Sequence, residues 1–180
     1  MKKLELYGIR GHSLQWFKSY LTDRKFRVRI GKTFSDQQIV NIGIPQGSIL
    51  GPILFIIYNN DLPRVSNRLT TTLFADDTNF SLTDIDYNGM VCTLNSELLK
   101  IQEWTVANRL TINNSKTELL LFSNKHTPHN NEQIFFNGNY VSYVDHAKFL
   151  GVFVDTKLNF KKHINYIAEK IAKHAGILYR

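Results

Sequence analysis

The chain has 180 residues, of which 43% are hydrophobic and 12% aromatic, so it can bury a core and disorder is not its expected state. Its longest strongly apolar run, residues 53–58, is far shorter than the ~20 residues that span a bilayer, which excludes a membrane helix and predicts a soluble protein. The net charge of +7 lies in two basic flanks, residues 1–35 and 157–180, around an acidic middle; this suits a nucleic-acid partner, although solvated surfaces explain it equally well.

The first predicted elements are a helix over residues 13–21 and a basic hairpin that follows it. Residues 25–30 alternate strictly between basic and apolar side chains, which predicts a strand with its apolar face, formed by Phe26, Val28 and Ile30, against a core. A turn at residues 31–32 and a second strand near residues 38–42 complete the hairpin. The basic face is a candidate template-binding surface, or plain solvated surface, and consists of Lys25, Arg27 and Arg29.

A shaped loop over residues 43–52, with two prolines and three glycines, is predicted to lead into a buried helix. Glycine allows the backbone to approach a ligand closely, and Pro52 suits a first helical turn. Gln46 offers an amide beside that backbone. An ordinary connection between a loop and a helix is the alternative interpretation.

Asp76 and Asp77 stand between two β-prone runs, residues 70–74 and 78–82, which predicts a hairpin that holds both carboxylates at its tip. Phosphoryl transfer by two Mg²⁺ ions roughly 3.5–4 Å apart requires hard oxygen ligands on a rigid support. A polymerase centre could use such a pair. Asp-Asp also occurs in solvated turns, because aspartate favours turns in general.

Downstream, apolar spacing predicts a helix over residues 88–107, with Val91, Leu94, Leu98 and Ile101 on its core face and Trp104 near its end. A strand over residues 117–122, a polar loop over 125–132, a hairpin over 135–140 with an Asn-Gly type I′ turn, and an amphipathic helix over 164–178 follow. No zinc site is predicted, because the histidines lack ligand-like spacing. The single cysteine, Cys92, favours a reducing compartment and is predicted to be packed.

Short motifs follow one another along most of the chain: Gly43-Ile-Pro-Gln-Gly-Ser48, Gly51-Pro-Ile-Leu-Phe55, Tyr58-Asn-Asn-Asp-Leu-Pro63, Phe74-Ala-Asp-Asp-Thr78, Leu110-Thr-Ile-Asn113 with Asn114-Ser-Lys-Thr-Glu118, and Phe149-Leu-Gly-Val152. In order and spacing this series resembles the reverse transcriptases of non-LTR retrotransposons of the LINE or jockey type. The Pro-Gln-Gly and Ala-Asp-Asp segments are its most specific parts.

The resemblance implies an α+β fold, the palm of a right-hand polymerase, in which helices cover an antiparallel sheet. Residues 1–158 would form part of the fingers and palm, and residues 159–180 would start the thumb, which holds the primer duplex. The implied activity is that of an RNA-directed DNA polymerase, a nucleotidyltransferase that uses an RNA template, a DNA primer, dNTPs and two Mg²⁺ ions. No membrane is implied, protein partners are open, and the location would be an intracellular ribonucleoprotein, nuclear or cytoplasmic.

The same resemblance assigns roles to individual residues. Asp76 and Asp77 would be catalytic and ligate the metal, and Lys116 would act as a general acid near the pyrophosphate, although a solvated lysine fits equally well. The residues expected to contact the incoming nucleotide and the template are Pro45, Gln46, Gly47, Ser48, Phe74 and Ala75. The expected primer grip is Phe149, Leu150 and Gly151.

In that family a further aspartate, on a strand that precedes the segment resembling residues 4–11, completes the metal site. The Mg²⁺ site is therefore expected to be incomplete in this chain, which is expected to be inactive alone. Asp61, Asp84 and Asp86 are poor replacements, because they belong to turns or lie beyond the hairpin. The alternative is a noncatalytic remnant that binds nucleic acid or folds incompletely.

Overall fold

The computed structural model describes residues 1–40, 43–45, 47–123 and 133–178. The chain divides into two compact units, Met1–Arg64 with Thr71–Phe80, and Val65–Thr70 with Ser81–Arg180. The predicted loop over 125–132 and the candidate residue Gln46 lie outside the described residues.

Helices and short strands alternate along the chain. The helices are α1 (Lys2–Leu6), α2 (Gly11–Leu21), α3 (Leu50–Asn59), α4 (Tyr87–Ala107) and α5 (Lys161–Leu178), with 3₁₀ turns at Leu62–Arg64 and Asn114–Lys116. The strands are β1 (Arg24–Phe26), β2 (Arg29–Ile30), β3 (Thr33–Phe34), β4 (Gln38–Val40), β5 (Thr70–Phe74), β6 (Asp77–Ser81), β7 (Glu118–Leu119), β8 (Phe135–Phe136), β9 (Asn139–Tyr140), β10 (Ser142–Tyr143), β11 (His146–Phe149) and β12 (Val152–Asp155).

In the first unit, α1 is fixed to the end of α3 by one lysine. Lys3 Nζ lies 2.7 Å from Asp61 Oδ1 and also donates a hydrogen bond to the carbonyl oxygen of Tyr58. The same ammonium group lies 4.7 Å from the centroid of the Tyr58 ring. Leu4 and Leu54 are buried at this junction of α1 and α3. Lys3 therefore donates to a carbonyl group of the last turn of α3, while Leu4 and Leu54 provide the buried apolar contact.

The predicted basic hairpin forms, but its first strand divides into β1 and β2. β1 pairs antiparallel with β4, and β2 pairs antiparallel with β3. The expectation that the apolar face would be buried is wrong, because Phe26 and Val28 are 52% exposed and Ile30 is 79% exposed. Each ladder pairs only two or three residues, and no described element covers that face.

The helix after the loop begins at Leu50, and Pro52 lies in its first turn, as predicted. Gly51, Leu54 and Asn59 are buried, whereas Ile53 and Ile56 are exposed. The expectation of a buried helix is therefore met on one face only: although α3 is apolar all round, its other face is exposed.

Helix α4 organises the second unit and confirms the prediction to within one residue. Asp86 caps it, because its Oδ2 accepts a hydrogen bond of 2.8 Å from the Gly89 N–H. The buried apolar residues of α4 and of the neighbouring segment that contains β8 are Val91, Leu98, Ile101, Ile134 and Phe136. Cys92 lies on the exposed side of α4, so the prediction that it is packed is wrong.

Two polar side chains of α4 were not predicted to be structural. Asn95 accepts a hydrogen bond of 2.8 Å from the Phe135 N–H and donates one of 3.1 Å to the Gln133 carbonyl, which joins α4 to β8. Glu97 is buried, and its Oε1 lies 2.7 Å from Lys100 Nζ. The hydrogen bond from Lys100, together with one from Ser66, holds the pKa of Glu97 below its ordinary value.

The strands pair two by two in six sheets among the described residues, so the continuous sheet expected for a palm is not formed there. The predicted strand over 117–122 is reduced to β7, which pairs parallel with β10. The Asn137-Gly138 hairpin is confirmed: β8 pairs with β9, and both turn residues have positive φ, as type I′ requires.

Four hairpins share one feature of their turns. Each has a two-residue turn whose first residue has a positive φ: +61° at Gly31, +50° at Ala75, +48° at Asn137 and +47° at Leu150. Glycine and asparagine tolerate this left-handed conformation, whereas for alanine and leucine it costs roughly 1–2 kcal/mol. The turns at Ala75 and Leu150 are therefore strained.

Hairpin β11–β12 is linked to α5 by the side chain of Asp155. Its carboxylate accepts backbone N–H hydrogen bonds from Lys157 and Asn159, both 3.1 Å, and from Phe160, 2.7 Å. Partial burial works to raise the pKa of Asp155, but these N–H groups outweigh it and lower that pKa. The predicted amphipathic helix is confirmed as α5, although Ile164 and Ile171 on its apolar face are exposed.

We expect Ala75→Gly to raise the free energy of unfolding by about 0.5–1 kcal/mol, because relief of the left-handed strain exceeds the entropy that glycine adds to the unfolded chain. Thr72→Gly, in the extended strand β5 of the same hairpin, is the matched control and should lower it. Urea denaturation of both variants measures the effect. Equal destabilisation by the two substitutions would contradict the strain.

We expect Asp155→Asn to destabilise the chain at neutral pH, because an amide oxygen replaces a carboxylate that accepts three N–H groups. Since the folded-state pKa is lowered, this stabilisation is present above the ordinary carboxyl pKa of about 3.9 and is lost as the pH falls through the lower folded value. Denaturation of both proteins between about pH 7 and pH 2 should show their difference shrinking below about pH 4. A constant difference would exclude this role.

Candidate functional site

The paired carboxylates lie at the tip of hairpin β5–β6. Ala75 and Asp76 form the two-residue turn, and Asp77 is the first residue of β6, one residue earlier than the sequence predicts. Asp76 and Asp77 are both exposed, while Leu73 and Phe80, which flank them on the two strands, are half-buried. The strands thus hold the hairpin in place and present both carboxylates to solvent.

These two carboxylates fit Mg²⁺ in part. Mg²⁺ is usually bound through one or two carboxylates together with substrate phosphates and waters, and adjacent exposed oxygens on a strand-supported tip suit that set. Within the part of the chain that the structure describes, no group of three acidic, histidine or cysteine residues could hold a metal ion. Asp76 and Asp77 could therefore supply at most two protein ligands, and a metal ion bound there would need further ligands from elsewhere.

The other acidic residues considered as replacements have structural partners. Asp61 forms the ion pair with Lys3. Asp84 Oδ1 accepts hydrogen bonds from the backbone N–H groups of Ile85 and Asp86, and Asp86 itself caps α4. Each carboxylate is thus engaged by local structure, which agrees with their exclusion from the candidate metal site.

The candidate nucleotide loop leads directly into α3. Ser48 Oγ accepts a hydrogen bond of 3.0 Å from the Gly51 N–H, and the Ser48 N–H lies 3.4 Å from the Pro45 carbonyl oxygen. Gly47 has a φ of +77°, which favours glycine. Gln46, predicted beside them, lies outside the described residues. Ser48 therefore has a structural role that the sequence reasoning missed.

Phe74 completes the residues predicted to approach substrate in this unit. Its side chain is 60% exposed on β5, immediately before the strained Ala75. An exposed aromatic side chain beside two carboxylates offers an apolar surface to a base or sugar. The position of Phe74 is therefore compatible with the contact that the family resemblance implies.

The predicted basic face contains an aromatic ring that the sequence reasoning missed. The Arg27 guanidinium lies 4.0 Å from the centroid of the Phe34 ring, and that of Arg29 lies 5.4 Å from it. Arg29 and Phe34 are cross-strand partners of β2 and β3, while Lys25 on β1 is exposed. Cation–π contact holds the two guanidinium groups at the surface. The two-residue turn at Gly31 was the signal that could have placed Phe34 opposite Arg29.

Lys116 and the predicted primer grip belong to the second unit. Lys116 is exposed and ends a 3₁₀ turn. Phe149 is half-buried at the end of β11, whereas Leu150 and Gly151 form the exposed tip of hairpin β11–β12. All of these candidates are at least partly accessible from solvent, and all of them belong to the second unit.

A cluster of lysines and aromatic rings beside the predicted primer grip was also missed. It joins β11–β12 to α5 and consists of Lys148, Phe153, Lys162, Tyr166 and Lys170. A hydrogen bond with Lys170 and the charges of Lys148 and Lys170 lower the pKa of Tyr166. The alternation of β11 and β12, with the helical spacing of residues 162, 166 and 170, could have indicated it.

Comparison with known proteins gives the family. The model of the family described as reverse transcriptase (RNA-dependent DNA polymerase) matches residues 1–154. No helix among the described residues is long and apolar enough to cross a membrane. No solved structure matches the chain significantly.

Curated relatives are polymerases of mobile elements. The chain is 31% identical over 170 residues to the probable RNA-directed DNA polymerase from transposon X-element of Drosophila melanogaster, a match that covers 89% of this chain and 18% of the relative. It is 30% identical over 159 residues to the RNA-directed DNA polymerase from mobile element jockey of Drosophila funebris, covering 83% and 17%. It is 27% identical over 172 residues to the RNA-directed DNA polymerase from mobile element jockey of Drosophila melanogaster, a match that covers 89% of this chain and 19% of the relative.

The chain thus spans less than a fifth of the length of these relatives. The family match nevertheless covers most of its residues and includes the Asp76-Asp77 hairpin. This chain belongs to the reverse transcriptase (RNA-dependent DNA polymerase) family, in the group encoded by non-LTR retrotransposons such as jockey.

Proposed function

We propose that this chain forms part of the polymerase centre of an intracellular RNA-directed DNA polymerase, which copies an RNA template into DNA from a DNA primer and dNTPs. The observation that carries the proposal is the exposed Asp76-Asp77 pair at the strained tip of β5–β6, within the residues that match the family. Strained backbone persists where the surrounding structure imposes it, and such sites are often functional.

Asp76 and Asp77 would hold Mg²⁺ through their carboxylate oxygens. When bound, two such ions activate the primer 3′-hydroxyl and stabilise the departing pyrophosphate. The 3′ oxygen forms a bond to the α-phosphorus as the bond from that phosphorus to the pyrophosphate oxygen breaks, and the 3′ proton is released. Lys116 would donate a proton to the pyrophosphate, a role that its exposed position permits.

The remaining candidate residues would bind the two strands and the nucleotide. The loop residues Pro45, Gln46, Gly47 and Ser48, with Phe74 and Ala75, would contact the incoming dNTP and the template. Lys25, Arg27 and Arg29 would contact template phosphates, since Phe34 holds both guanidinium groups outward. Leu150 and Gly151, next to Phe149, would support the primer end.

In this proposal residues 1–158 correspond to part of the fingers and palm, and residues 159–180 to the start of the thumb. The helical α5, which begins at Lys161, is compatible with that boundary. The two compact units divide the chain at other positions, so they neither support nor oppose this subdivision.

A noncatalytic remnant that binds nucleic acid or folds incompletely is the second candidate. The exposed apolar side chains of the basic hairpin, above all Ile30 and Ile39, favour it, because apolar surface of this kind is usually covered in a complete fold. The two candidates differ in metal binding at the carboxylate pair.

We expect Mn²⁺, used as a paramagnetic probe for Mg²⁺, to bind the chain in the presence of a dNTP and to lose most of this affinity in the double variant Asp76→Asn, Asp77→Asn. Asp84→Asn, which removes an exposed carboxylate of a neighbouring turn, is the matched control and should leave the affinity unchanged. Electron paramagnetic resonance titration measures free Mn²⁺. Equal affinity in all three proteins would favour the noncatalytic remnant.

We expect the 180-residue chain alone to extend no primer above background with Mg²⁺, because Asp76 and Asp77 supply only part of the metal shell and Asp61, Asp84 and Asp86 have structural partners. Incorporation of dNTPs on an RNA template with an annealed DNA primer is the measurement. Template-dependent incorporation that is abolished by Asp76→Asn would overturn this expectation and show that the chain alone is active and requires Asp76.

A further inference from the structure

The sequence contains two Asn-Gly pairs, Asn88-Gly89 and Asn137-Gly138, and the structure places them in different surroundings. Asparagine followed by glycine is prone to lose its side-chain amide, because glycine has no side chain to hinder its backbone nitrogen. In this reaction that nitrogen attacks the carbonyl carbon of the asparagine side chain. Both pairs belong to the second unit, so one unit contains both surroundings for the same dipeptide.

The backbone nitrogen of Gly89 is engaged. Its N–H donates a hydrogen bond of 2.8 Å to Oδ2 of Asp86, the cap of α4. A β-carbon built on Gly89 would lie 2.8 Å from that same oxygen, so the carboxylate lies directly against the glycine. Attack requires the loss of the N–H proton, and the negative charge of the carboxylate opposes the formation of a second one beside it. Gly89 is therefore a poor nucleophile.

The backbone nitrogen of Gly138 is not engaged in this way. Within the described ranges its N–H donates no hydrogen bond, and a β-carbon built on Gly138 would meet no atom within 4 Å. Asn137 and Gly138 have φ values of +48° and +77°, in a turn that β8 and β9 hold by only two residue pairs. A ladder this short opens locally at low cost, which lets the nitrogen reach the side chain of Asn137.

Two side-chain amides donate to the peptide group that carries the Gly138 nitrogen. The carbonyl oxygen of Asn137 accepts hydrogen bonds from Asn139 Nδ2, at 3.0 Å, and from Asn114 Nδ2, at 3.4 Å. When Gly138 loses its proton, resonance shares the negative charge between its nitrogen and this oxygen. Donors that already point at the oxygen stabilise that charge. The turn thus favours the nucleophilic form of the peptide group, which is the reverse of the arrangement at Gly89.

We propose that Asn137-Gly138 is a site of spontaneous deamidation that the turn promotes, whereas Asp86 protects Asn88-Gly89. Exposure to solvent does not account for this difference, because Asn88 is exposed and Asn137 is half-buried. Water is the only co-reactant, and none of the steps depends on a polymerase activity.

The reaction has two steps. In the first, the Gly138 nitrogen gives its proton to hydroxide and forms a bond to Asn137 Cγ, while the bond from Cγ to Nδ2 breaks and Nδ2 leaves as ammonia after it takes a proton from water. In the second, water opens the resulting succinimide ring at either of its carbonyl groups. Aspartate or isoaspartate then stands at position 137, and the chain has one more negative charge.

The new carboxylate would change the contact between hairpin β8–β9 and the 3₁₀ turn before β7. Asn137 Nδ2 donates a hydrogen bond of 3.2 Å to Asn114 Oδ1, and Asn114 begins the turn that ends at Lys116. Loss of Nδ2 removes this donor and leaves two oxygen atoms facing each other, which is unfavourable. Deamidation would therefore loosen the attachment of the turn that carries Lys116.

The test is the rate of deamidation at each pair in the unaltered chain, incubated at neutral and mildly alkaline pH and followed by mass spectrometry of its peptides. In the native chain we expect Asn137 to react at least about tenfold faster than Asn88, which corresponds to about 1.4 kcal/mol in the barrier. In concentrated urea, where the fold no longer holds Asp86 or the two amides in place, the two rates should converge. Equal rates in the native chain, or a ratio that urea leaves unchanged, would overturn the proposal.

Two variants test the side chains that make the difference. Asn139→Leu keeps the branched shape of an exposed side chain but removes its donor, so it should slow the reaction of Asn137 several-fold and leave that of Asn88 unchanged. Asn165→Leu, at an exposed position of α5, is the matched control and should change neither rate.

Asp86→Ser keeps a capping oxygen but removes its charge, so it should speed the reaction of Asn88 and leave that of Asn137 unchanged. Variants in which the rate at Asn137 does not respond to Asn139→Leu, or the rate at Asn88 does not respond to Asp86→Ser, would contradict the part assigned to that side chain.

Discussion

The positions of several candidate functional residues depend on two-residue turns between short strands. Such a turn matches the twist of two short strands only if its first residue adopts a left-handed backbone conformation, and four hairpins meet this requirement. At Gly31 and Asn137 the residue type suits the conformation. At Ala75 and Leu150 it does not, and these are the turns that carry the carboxylate pair and the predicted primer grip. The paired strands on both sides impose the left-handed conformation on Ala75 and Leu150, which these residue types do not favour.

Local signals explain how much of the fold could be predicted from the sequence. Helix α4 and the Asn137-Gly138 hairpin were predicted to within a residue, because apolar spacing and turn chemistry are read directly from neighbouring residues. The start of β6 was misplaced by one residue, since both aspartates were assigned to the turn, whereas the turn is Ala75-Asp76 and Asp77 already belongs to the strand. The burial of the apolar face of the basic hairpin and of Cys92 was mispredicted for another reason. The sequence pattern shows which residues share a face, but not whether another element covers that face.

In the candidate site, too, residues that are neighbours in sequence could be predicted, whereas contacts that depend on strand pairing could not. Asp76 and Asp77 are adjacent in sequence, so their proximity needed no tertiary information, and family motifs gave them a role. The contacts that support charged groups were missed because they depend on register: Arg29 meets Phe34 across β2–β3, and Lys148 meets Phe153 across β11–β12. Glu97 was missed because a buried carboxylate beside Lys100 interrupts an otherwise apolar stripe. Of these groups only Glu97 is buried, and the opposite charge of Lys100 offsets the cost of burying its carboxylate.

The position of Cys92 has a practical consequence for experiments on this protein. It is the only cysteine of the sequence, and it is exposed on α4, a 21-residue helix whose opposite side carries the buried residues of its unit. A maleimide dye would therefore attach at one known place without any substitution. Since Val91 and Leu98 anchor that helix, the dye would sit on a firmly packed element. Its distances to dyes at successive positions of an oligonucleotide, measured by energy transfer, would trace the path of a bound strand.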